Sequence, residues 1–326
     1  MPSVLVIGAR GVLGSLIADA FERAGWEVRR GARRPSGRPG ECVLDVERPE
    51  TLEVALDGVD IAVTTVPHPD LPAERSVLAR GGTLLSVVAL TSEETRGLRG
   101  SSGTPRGTVV PNAGLIPGVA NLVAAELLRA HPDADAVELV MTASASGTHG
   151  RAGGRFAYDN LRTRARHRTA VVPLPAPYGE RSCIEFAEGC DGWLGSLAEG
   201  REVRAYVCFV QRLQQLGLLA ANAVGACRLL PRAQFVAERR GADGGSRDPV
   251  AEWVAVLRGS RRLAAAAVEC EGDYRATAVA AVAFAQRALE RDLPPGCYDP
   301  QELFTLEELA PGLARAGVRV VPQPLA

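Results

Sequence analysis

Near its start the chain reads Val4-Leu5-Val6-Ile7-Gly8-Ala9-Arg10-Gly11-Val12-Leu13-Gly14. The first four residues form an uninterrupted apolar run, which is typical of a strand buried on both faces. Three glycines spaced by two residues follow, and residues 15–24 then mix apolar and charged side chains as an amphipathic helix does. A buried strand, a glycine-rich turn and a helix in this order predict a dinucleotide-binding site of the Rossmann type.

Each glycine has a predicted role in that turn. Gly8 allows the sharp bend, Gly11 lets the backbone approach a pyrophosphate, and Gly14 lets the helix pack closely on the sheet. The start of the helix, which includes Val12 and Leu13, offers free N–H groups and the positive end of the helix dipole to phosphates. We therefore expect all five residues to contact the cofactor.

Strands and helices continue to alternate up to residue 128, which predicts one complete doubly wound α/β domain. The predicted strands after the first cover residues 27–30, 43–46, 60–66, 83–90 and 108–110. Val66, Pro67 and Val88 stand at strand ends on the carboxyl edge of the sheet, where ligands collect in this fold. We expect these three residues beside the nicotinamide.

The end of the second strand predicts which dinucleotide is preferred. NAD-type sites usually place an acid there to hold the ribose hydroxyls, but this chain has Ala32 followed by Arg33 and Arg34. These two arginines, assisted by Arg10, could hold a 2′-phosphate, so we predict NADP(H) over NAD(H). A solvated basic loop is the alternative. Asp45, at the end of the third predicted strand, could face the adenine pocket or cap the following helix.

A second loop, residues 111–118, follows the sixth predicted strand. Its Pro-Gly turn at a helix start would place backbone N–H groups on the same sheet edge as the first turn. We therefore expect Gly114, Pro117 and Gly118 to contact the cofactor, although ordinary turn chemistry explains the same residues. Asn112 and Asn121 are the polar side chains nearby.

The pattern changes after about residue 135, where we predict a second domain that carries the substrate contacts. Glycines surround His149, Arg151 and Arg155 at a loop-to-helix junction, and Tyr158 and Asn160 follow. Arginine holds carboxylates in a bidentate way, so we assign Arg151 or Arg155 to a substrate carboxylate, and we count both of them and Asn160 among the substrate-binding residues. His149 or Tyr158 is expected to donate a proton, because such groups act as general acids.

Some other sequence features leave alternatives open or narrow the class of protein. His68 is a second proton-donor hypothesis, although its flanking prolines favour a structural position. The arginines from 162 to 168 alternate and favour a solvated basic face. All 37 basic residues of this 326-residue chain are arginine, which excludes a Schiff-base lysine and a Tyr-x-x-x-Lys pair.

The net charge and the cysteine content also limit the classes of partner that the chain could have. A net charge of −1 argues against a general nucleic-acid or anionic-membrane partner. The seven cysteines lack a C-x-x-C pair, which favours reduced thiols in the cytoplasm over disulfides or a metal site. The first strand begins so close to Met1 that we expect no signal peptide, and no apolar stretch is long enough to span a bilayer.

Three separated segments together resemble the saccharopine dehydrogenase-like family of reductases. The first is the turn from Gly8 to Gly14. The second is the loop from Gly114 to Gly118, with Asn121 on its helix. The third is the chain ending, with Gly272-Asp273-Tyr274-Arg275-Ala276-Thr277-Ala278, then Pro295-Gly296-Cys297-Tyr298-Asp299-Pro300-Gln301-Glu302, then Gly317-Val318.

This resemblance implies a Rossmann domain with an inserted α+β domain that carries substrate and dimer contacts. We divide the chain into a dinucleotide-binding domain, residues 1–130 and 275–326, and a substrate and dimerisation domain, residues 131–274. The resemblance also implies a homodimer and reduction of the imines or oxidation of the secondary amines of amino acids. The lysine that assists some members has no counterpart here. A carbonyl or enoyl reductase of a specialised pathway, or a sensor that binds NADP(H) without turnover, are the alternatives. The arginine- and alanine-rich composition fits a high-GC bacterial genome.

Overall fold

The structure, a computed structural model, describes residues 1–101, 103–144, 150–186, 191–237 and 249–324. In chain order the strands are β1 (Ser3–Ile7), β2 (Glu27–Ala32), β3 (Glu41–Val43), β4 (Ile61–Thr64), β5 (Gly82–Ser86), β6 (Gly107–Val110), β7 (Ala136–Ala143), β8 (Thr169–Leu174), β9 (Gly179–Glu185), β10 (Glu202–Phe209), β11 (Pro249–Arg258), β12 (Arg261–Glu271), β13 (Gly296–Cys297) and β14 (Arg319–Pro322).

The helices are α1 (Val12–Arg23), α2 (Pro49–Leu56), α3 (Pro72–Arg80), α4 (Ser92–Arg99), α5 (Val119–Ala130), α6 (Arg151–Arg162), α7 (Arg212–Ala223), α8 (Arg232–Val236), α9 (Asp273–Leu289), α10 (Pro300–Leu303) and α11 (Leu306–Arg315). Short 3-10 turns occur at Asp191–Trp193, Gly195–Ala198 and Cys227–Leu229.

The first sheet has the strand order β13-β6-β5-β4-β1-β2-β3. All its strand pairs are parallel. The apolar run of β1 is fully buried, and its alternate residues enter two different cores: Val4 and Val6 on one face, Leu5 and Ile7 on the other. Helices therefore cover both faces of the sheet, which is the doubly wound arrangement. The prediction of a Rossmann-type sheet is confirmed.

The second sheet has the order β14-β12-β11-β7-β10-β9-β8 and is mixed: only β7 and β10 run parallel. The sheet is curled, as shown by the Arg262 guanidinium on β12, which donates to the carbonyl oxygen of Val171 on β8 at 3.1 Å although the two strands lie five places apart in the sheet. The predicted second α+β domain is thereby confirmed. The domain boundaries at 130 and 275 stay predictions; β14, which that division assigns to the first domain, pairs with β12 of the second sheet.

Helix α9 joins the two sheets through one continuous core. Its small buried residues, such as Ala280 and Ala281, let it pack against α1 on one side and β12 on the other. The same cluster contains Val6 of the first sheet and Val254 of the second. The two domains thus share a packed interior along α9.

Local structure differs from the sequence-based prediction in the second domain. The apolar residues of 211–230 predict one helix, but α7 ends at Ala223, because Gly225 adopts a positive φ of 75° that a helix does not continue through. Helix α6 ends at Arg162, and the chain enters β8 at Thr169, a strand that was not predicted. The apolar residues of β8 directly follow the arginine-rich residues 162–168, so the sequence pattern did not separate them as a strand.

Candidate functional site

The glycine turn has the geometry that a dinucleotide phosphate needs. Gly8 adopts φ of +86°, and a Cβ there would lie 2.6 Å from the Thr65 hydroxyl oxygen. A Cβ at Gly14 would lie 2.2 Å from the carbonyl oxygen of Gly8, so α1 can start this close to the turn only with glycine. Side chains at these two positions would fill the space between the turn, β4 and α1.

Helix α1 begins directly after this turn without a side-chain cap. Gly11 is the N-cap residue, and its carbonyl oxygen accepts the first helical bond, from Ser15 at 2.9 Å. The N–H groups of Val12, Leu13 and Gly14 therefore have no partner one turn earlier in the helix. An anion can use both these donors and the helix dipole.

A cavity of about 980 Å³ opens beside the turn and brings most of the predicted cofactor residues together. It extends over the carboxyl ends of β1, β2 and β4. Its lining consists of Ile7, Gly8, Arg10, Gly11, Gly31, Ala32, Arg33, Arg34, Val43, Leu44, Asp45, Val46, Glu47, Arg48, Thr51, Thr65, Val66, Pro67 and His68.

The positive charge of this cavity comes from exposed arginines. Arg33 and Arg34 follow the buried Ala32, and the Arg10 guanidinium donates a hydrogen bond to the backbone oxygen of Arg34. That bond ties the first turn to the loop after β2. Arg48, which sequence reasoning missed, lines the same cavity. The cavity wall at the end of β2 therefore holds arginines where an NAD-type site would hold an acid.

Asp45 does not cap helix α2. Its carboxylate accepts from the Glu47 backbone N–H at 3.3 Å, while its backbone oxygen accepts from the Thr51 hydroxyl at 2.9 Å. These bonds fix the loop before α2, whose N-cap Arg48 makes no side-chain cap. Asp45 lines the cavity. This position fits the other hypothesis for Asp45, that it faces the adenine of the dinucleotide.

His68 lies at the mouth of this cavity on the loop after β4. Its Nδ1 accepts from the Asp70 backbone N–H at 3.2 Å, and its Nε2 lies 3.9 Å from the Glu47 carboxylate. Val66 and Pro67 line the cavity on the same loop. Val88, on the loop after β5, is part-buried and does not line it.

The second predicted cofactor loop faces inward. Gly114, Pro117 and Gly118 are buried, and the Gly114 N–H donates to the Pro117 carbonyl oxygen at 3.1 Å. A Cβ at Gly118 would lie 2.0 Å from the oxygen of Gly114, and one at Gly114 would lie 3.3 Å from Thr277 of α9. None of the three lines the cavity, so their contacts are those of a tight turn packed on α9.

Asn112 and Asn121 join this loop to the second domain. The Asn112 amide donates to the Gly192 carbonyl oxygen at 3.0 Å, and the Asn121 amide donates to that of Trp193 at 2.6 Å. Both side chains are about 1% exposed. These asparagines therefore join the first domain to residues 192 and 193 of the second domain by buried hydrogen bonds.

The predicted substrate residues lie on or before α6. His149 lies outside the described residues. Tyr158 is buried: its hydroxyl accepts from the Arg162 guanidinium at 2.9 Å, and its ring packs on Phe235. The exposed Arg155 faces Asp159 at 3.4 Å. Neither of these side chains lines the cavity.

Asn160 and Arg151 occupy opposite ends of α6. The Asn160 amide donates to the Phe156 carbonyl oxygen at 3.3 Å inside the second domain. Arg151 is exposed at the helix start, next to Gly150, where a Cβ would lie 3.7 Å from the Cβ of Val12. Gly150, the residue before Arg151, thus lies next to the first residue of α1, but the side chains of Arg151 and Asn160 do not line the cavity.

Three further residues, Tyr274, Asp273 and Glu252, were not predicted as site residues. The Tyr274 hydroxyl accepts from the Gly150 N–H at 3.1 Å, and desolvation by burial raises the pKa of this phenol. Burial raises the pKa of the neighbouring Asp273 to about 6. Glu252, in the middle of β11, is fully buried. An acid inside the otherwise apolar strand Pro249–Arg258 was the sequence signal that could have found it.

The part of the chain that the structure describes holds no cluster of three or more metal-ligating side chains. Within the same ranges, no helix is both long and apolar enough to cross a bilayer.

Comparison with known proteins agrees with this architecture. Saccharopine dehydrogenase (L-Glu forming) from Saccharomyces cerevisiae superposes over 100% of both chains with a TM-score of 0.66 and 13% identity. The chain has the fold of a saccharopine dehydrogenase. The resemblance found in the sequence is thereby confirmed at the level of the fold.

Two further solved structures match with lower scores. The WlbA dehydrogenase from Thermus thermophilus, in complex with NAD and UDP-GlcNAcA, covers 97% of this chain and 94% of its own at TM-score 0.42 and 16% identity. An oxidoreductase from Thermotoga maritima covers the same shares at TM-score 0.43 and 13% identity. No family model and no curated protein matches the sequence.

Proposed function

We propose that the chain is an NADP(H)-dependent oxidoreductase that acts on the C=N or C–N bond of a small, amino-acid-derived substrate with a carboxylate. The observation that carries the proposal is the cavity at the uncapped start of α1, where Arg33 and Arg34 follow Ala32. The saccharopine dehydrogenase fold supports the choice of bond. The dinucleotide would supply the hydride when bound.

The chain's own residues would bind and orient the reactants. The turn from Gly8 to Gly14 offers backbone donors to the pyrophosphate, and Arg33 and Arg34 offer guanidinium groups to a 2′-phosphate. Val66 and Pro67 line the cavity beside this turn, and Val88 follows the end of β5. Hydride transfer asks mainly for such positioning.

Arg151 is the residue we assign to the substrate carboxylate, because the helix start it occupies abuts Val12. His149 directly precedes Gly150 in the sequence and remains our proposed proton donor. The contacts of Tyr158, Arg155 and Asn160 favour packing and surface roles on α6.

Hydride transfer is tested by absorbance loss of NADPH with pairs of amino acids and keto acids. We expect oxidation with one pair, at least about tenfold slower with Arg151→Ala and His149→Gln, and unchanged with the exposed control Arg23→Ala. Turnover of a carbonyl or an activated alkene instead would identify the alternative reductase. NADPH binding with no turnover of any pair would identify a sensor.

The oligomer and the compartment are proposals as well. Leu213 and Leu216 on α7 and Val224 at its C-cap are 81%, 61% and 74% exposed, and these apolar side chains suit a homodimer contact. Light scattering of wild type and of Leu213→Glu tests this. The described cysteines are free thiols, which supports a cytoplasmic location.

A further inference from the structure

The loops after β2 and β3 emerge side by side at the edge of the first sheet that holds the cavity. The two strands run parallel, with Ala32 opposite Val43. The Leu44 N–H donates to the Ala32 carbonyl oxygen at 3.0 Å, so the pairing continues to the last residue of β2. Neighbouring strands lie about 4.8 Å apart. The loop of residues 33–40 is therefore flanked by the loop of residues 44–48.

Arg48 ends the second of these loops and lines the same cavity of about 980 Å³ as Arg33 and Arg34. Its backbone is fixed on both sides: the N–H donates to the Asp45 carbonyl oxygen at 2.9 Å, and the carbonyl oxygen accepts from the Thr51 N–H at 3.0 Å. The residue itself is exposed. Arg48 is thus held at the cavity wall while its side chain stays open to a ligand.

The charge of these three arginines is not neutralised by neighbouring acids. Among the described residues, the guanidinium groups of Arg33, Arg34 and Arg48 have no hydrogen-bond or ion-pair partner. An exposed arginine elsewhere in the chain does find one, since Arg258 lies 3.2 Å from the Asp133 carboxylate. Three unpaired guanidinium groups on the wall of one cavity favour an anionic ligand.

The acids of the cavity face other groups. The Asp45 carboxylate accepts from the Glu47 N–H at 3.3 Å, and the Glu47 carboxylate lies 3.9 Å from Nε2 of His68. Arg10 is the fourth arginine of the lining, so four guanidinium groups stand against these two carboxylates. A phosphomonoester carries a charge of about −1.5 to −2 at pH 7 and three terminal oxygens. The excess of positive charge in the cavity therefore matches one phosphomonoester.

The two anionic parts of NADP(H) bind at different places in the account given above. The pyrophosphate takes the free N–H groups at the start of α1, which follows β1. Arg48 follows β3, which is two places from β1 in the sheet order. The 2′-phosphate of the adenosine ribose is the remaining anion. A guanidinium holds two phosphate oxygens in a fork, so arginines on two adjacent loops suit one phosphate held from two sides.

We propose that Arg48 binds the 2′-phosphate of NADP(H) together with Arg33 and Arg34, and so contributes to the choice of dinucleotide from a second loop. The proposal deepens the function proposed above and rests on it, because it concerns the same dinucleotide. It gives the loop after β3 a part in a selection that the sequence-based interpretation assigns to the end of β2 and to Arg10.

The dissociation constants of NADPH and NADH, measured by fluorescence titration, test the role of Arg48. The proteins are wild type, Arg48→Ala, Arg48→Lys and the control Arg38→Ala, which removes an exposed arginine of the β2–β3 loop outside the cavity lining. We expect Arg48→Ala to weaken NADPH binding by about fivefold or more and to change NADH binding by less than about twofold. Arg48→Lys should fall between, because lysine keeps the charge and loses the fork. The control should bind both dinucleotides as wild type does.

The difference between the two dinucleotides separates a phosphate contact from a structural role. Equal weakening of NADPH and NADH in Arg48→Ala, as contact with the adenine or damage to the loop would give, would overturn the proposal. Unchanged NADPH affinity in that variant, or a wild-type protein that binds NADPH no more tightly than NADH, would also overturn it. Calorimetric titration with adenosine 2′,5′-bisphosphate, which lacks the nicotinamide half, should show the same loss in Arg48→Ala.

Turnover distinguishes a failure of this proposal from a failure of the proposed function. NADPH binding that depends on Arg48, without oxidation of NADPH by any substrate pair, would refute the oxidoreductase and leave the Arg48 contact standing. Oxidation of NADPH with unchanged affinity in Arg48→Ala would refute the contact alone. Binding of neither dinucleotide nor the bisphosphate by wild type would refute both.

Discussion

The backbone N–H of Gly150 donates to the hydroxyl of Tyr274 at 3.1 Å, and this bond joins the first turn of α6 to the first turn of α9. A Cβ at Gly153 would lie 2.5 Å from the same hydroxyl. Helix α6 can pack closely against the Tyr274 ring because residues 150 and 153 are both glycine. Through this contact the second domain reaches the dinucleotide turn at Val12.

Tyr274→Phe should loosen this junction. Loss of the acceptor leaves the Gly150 N–H without its partner, at a cost of about 1 kcal/mol in the free energy of unfolding, measured by urea denaturation. Tyr298→Phe is the matched control, since its exposed hydroxyl makes only a 3.3 Å bond to Pro295. An equal effect of the two substitutions would contradict a special role for Tyr274.

Gly14→Ala should damage the dinucleotide turn. The added methyl group would lie 2.2 Å from the Gly8 carbonyl oxygen, so the turn must shift, at a cost of roughly 1–3 kcal/mol in stability. We expect NADPH affinity, measured by fluorescence titration, to fall by about tenfold or more. Gly217→Ala on the exposed face of α7 meets nothing within 4 Å and should leave affinity unchanged. Wild-type affinity in Gly14→Ala would show that the turn does not hold the dinucleotide.

The Glu252 carboxyl should make stability depend on pH. Its folded-state pKa is raised above the unfolded value, so the folded state binds more protons and loses stability as pH rises above the unfolded pKa. The loss is at most about 1.4 kcal/mol per pH unit from this one group. Glu252→Gln removes it, so the variant should gain stability over wild type between about pH 4.5 and 7. Parallel unfolding curves of the two proteins over that range would contradict the burial of an ionisable Glu252.

Asn121→Ala should separate the domains. The substitution leaves the Gly118 N–H and the Trp193 carbonyl oxygen without their buried partner. We expect a loss of about 2–4 kcal/mol in unfolding free energy and a changed near-ultraviolet signal of Trp193. Asn121→Asp is the companion variant: it keeps the acceptor for Gly118 but buries a carboxylate oxygen against the Trp193 carbonyl oxygen, so it should lose at least as much stability as Asn121→Ala. A loss below about 0.5 kcal/mol in Asn121→Ala would refute the role of this side chain.

The first domain could be predicted from sequence because its signals are local. The apolar run from Val4 to Ile7 and the glycines at 8, 11 and 14 lie next to each other in the chain, and each has one structural reading. Arg33, Arg34 and Asp45 were found by their distance from strand ends, and the structure gathers all three at one cavity.

The second domain could not be predicted to the same depth, because its contacts join distant residues. Tyr158 has a side chain suited to proton transfer, but the partner that engages its hydroxyl, Arg162, becomes evident only once α6 is formed. Glu252 lies on β11 and Asp273 begins α9, so the whole of β12 lies between them in sequence and neither acid predicts the other. Asn112 and Asn121 are evident in the sequence as the polar side chains near the second loop, but the bonds by which they join the domains are made to a segment about 70 to 80 residues away.

The dissociation constants of NADPH and NADH for the wild-type protein test the central claim most directly. With Arg33 and Arg34 at the end of β2 and Ala32 in place of an acid, we predict that NADPH binds at least about tenfold more tightly than NADH. The double variant Arg33→Ala, Arg34→Ala should bring the two constants close together, with Arg23→Ala as the unaffected control. Tighter binding of NADH by the wild-type protein, or binding of neither dinucleotide, would contradict the account.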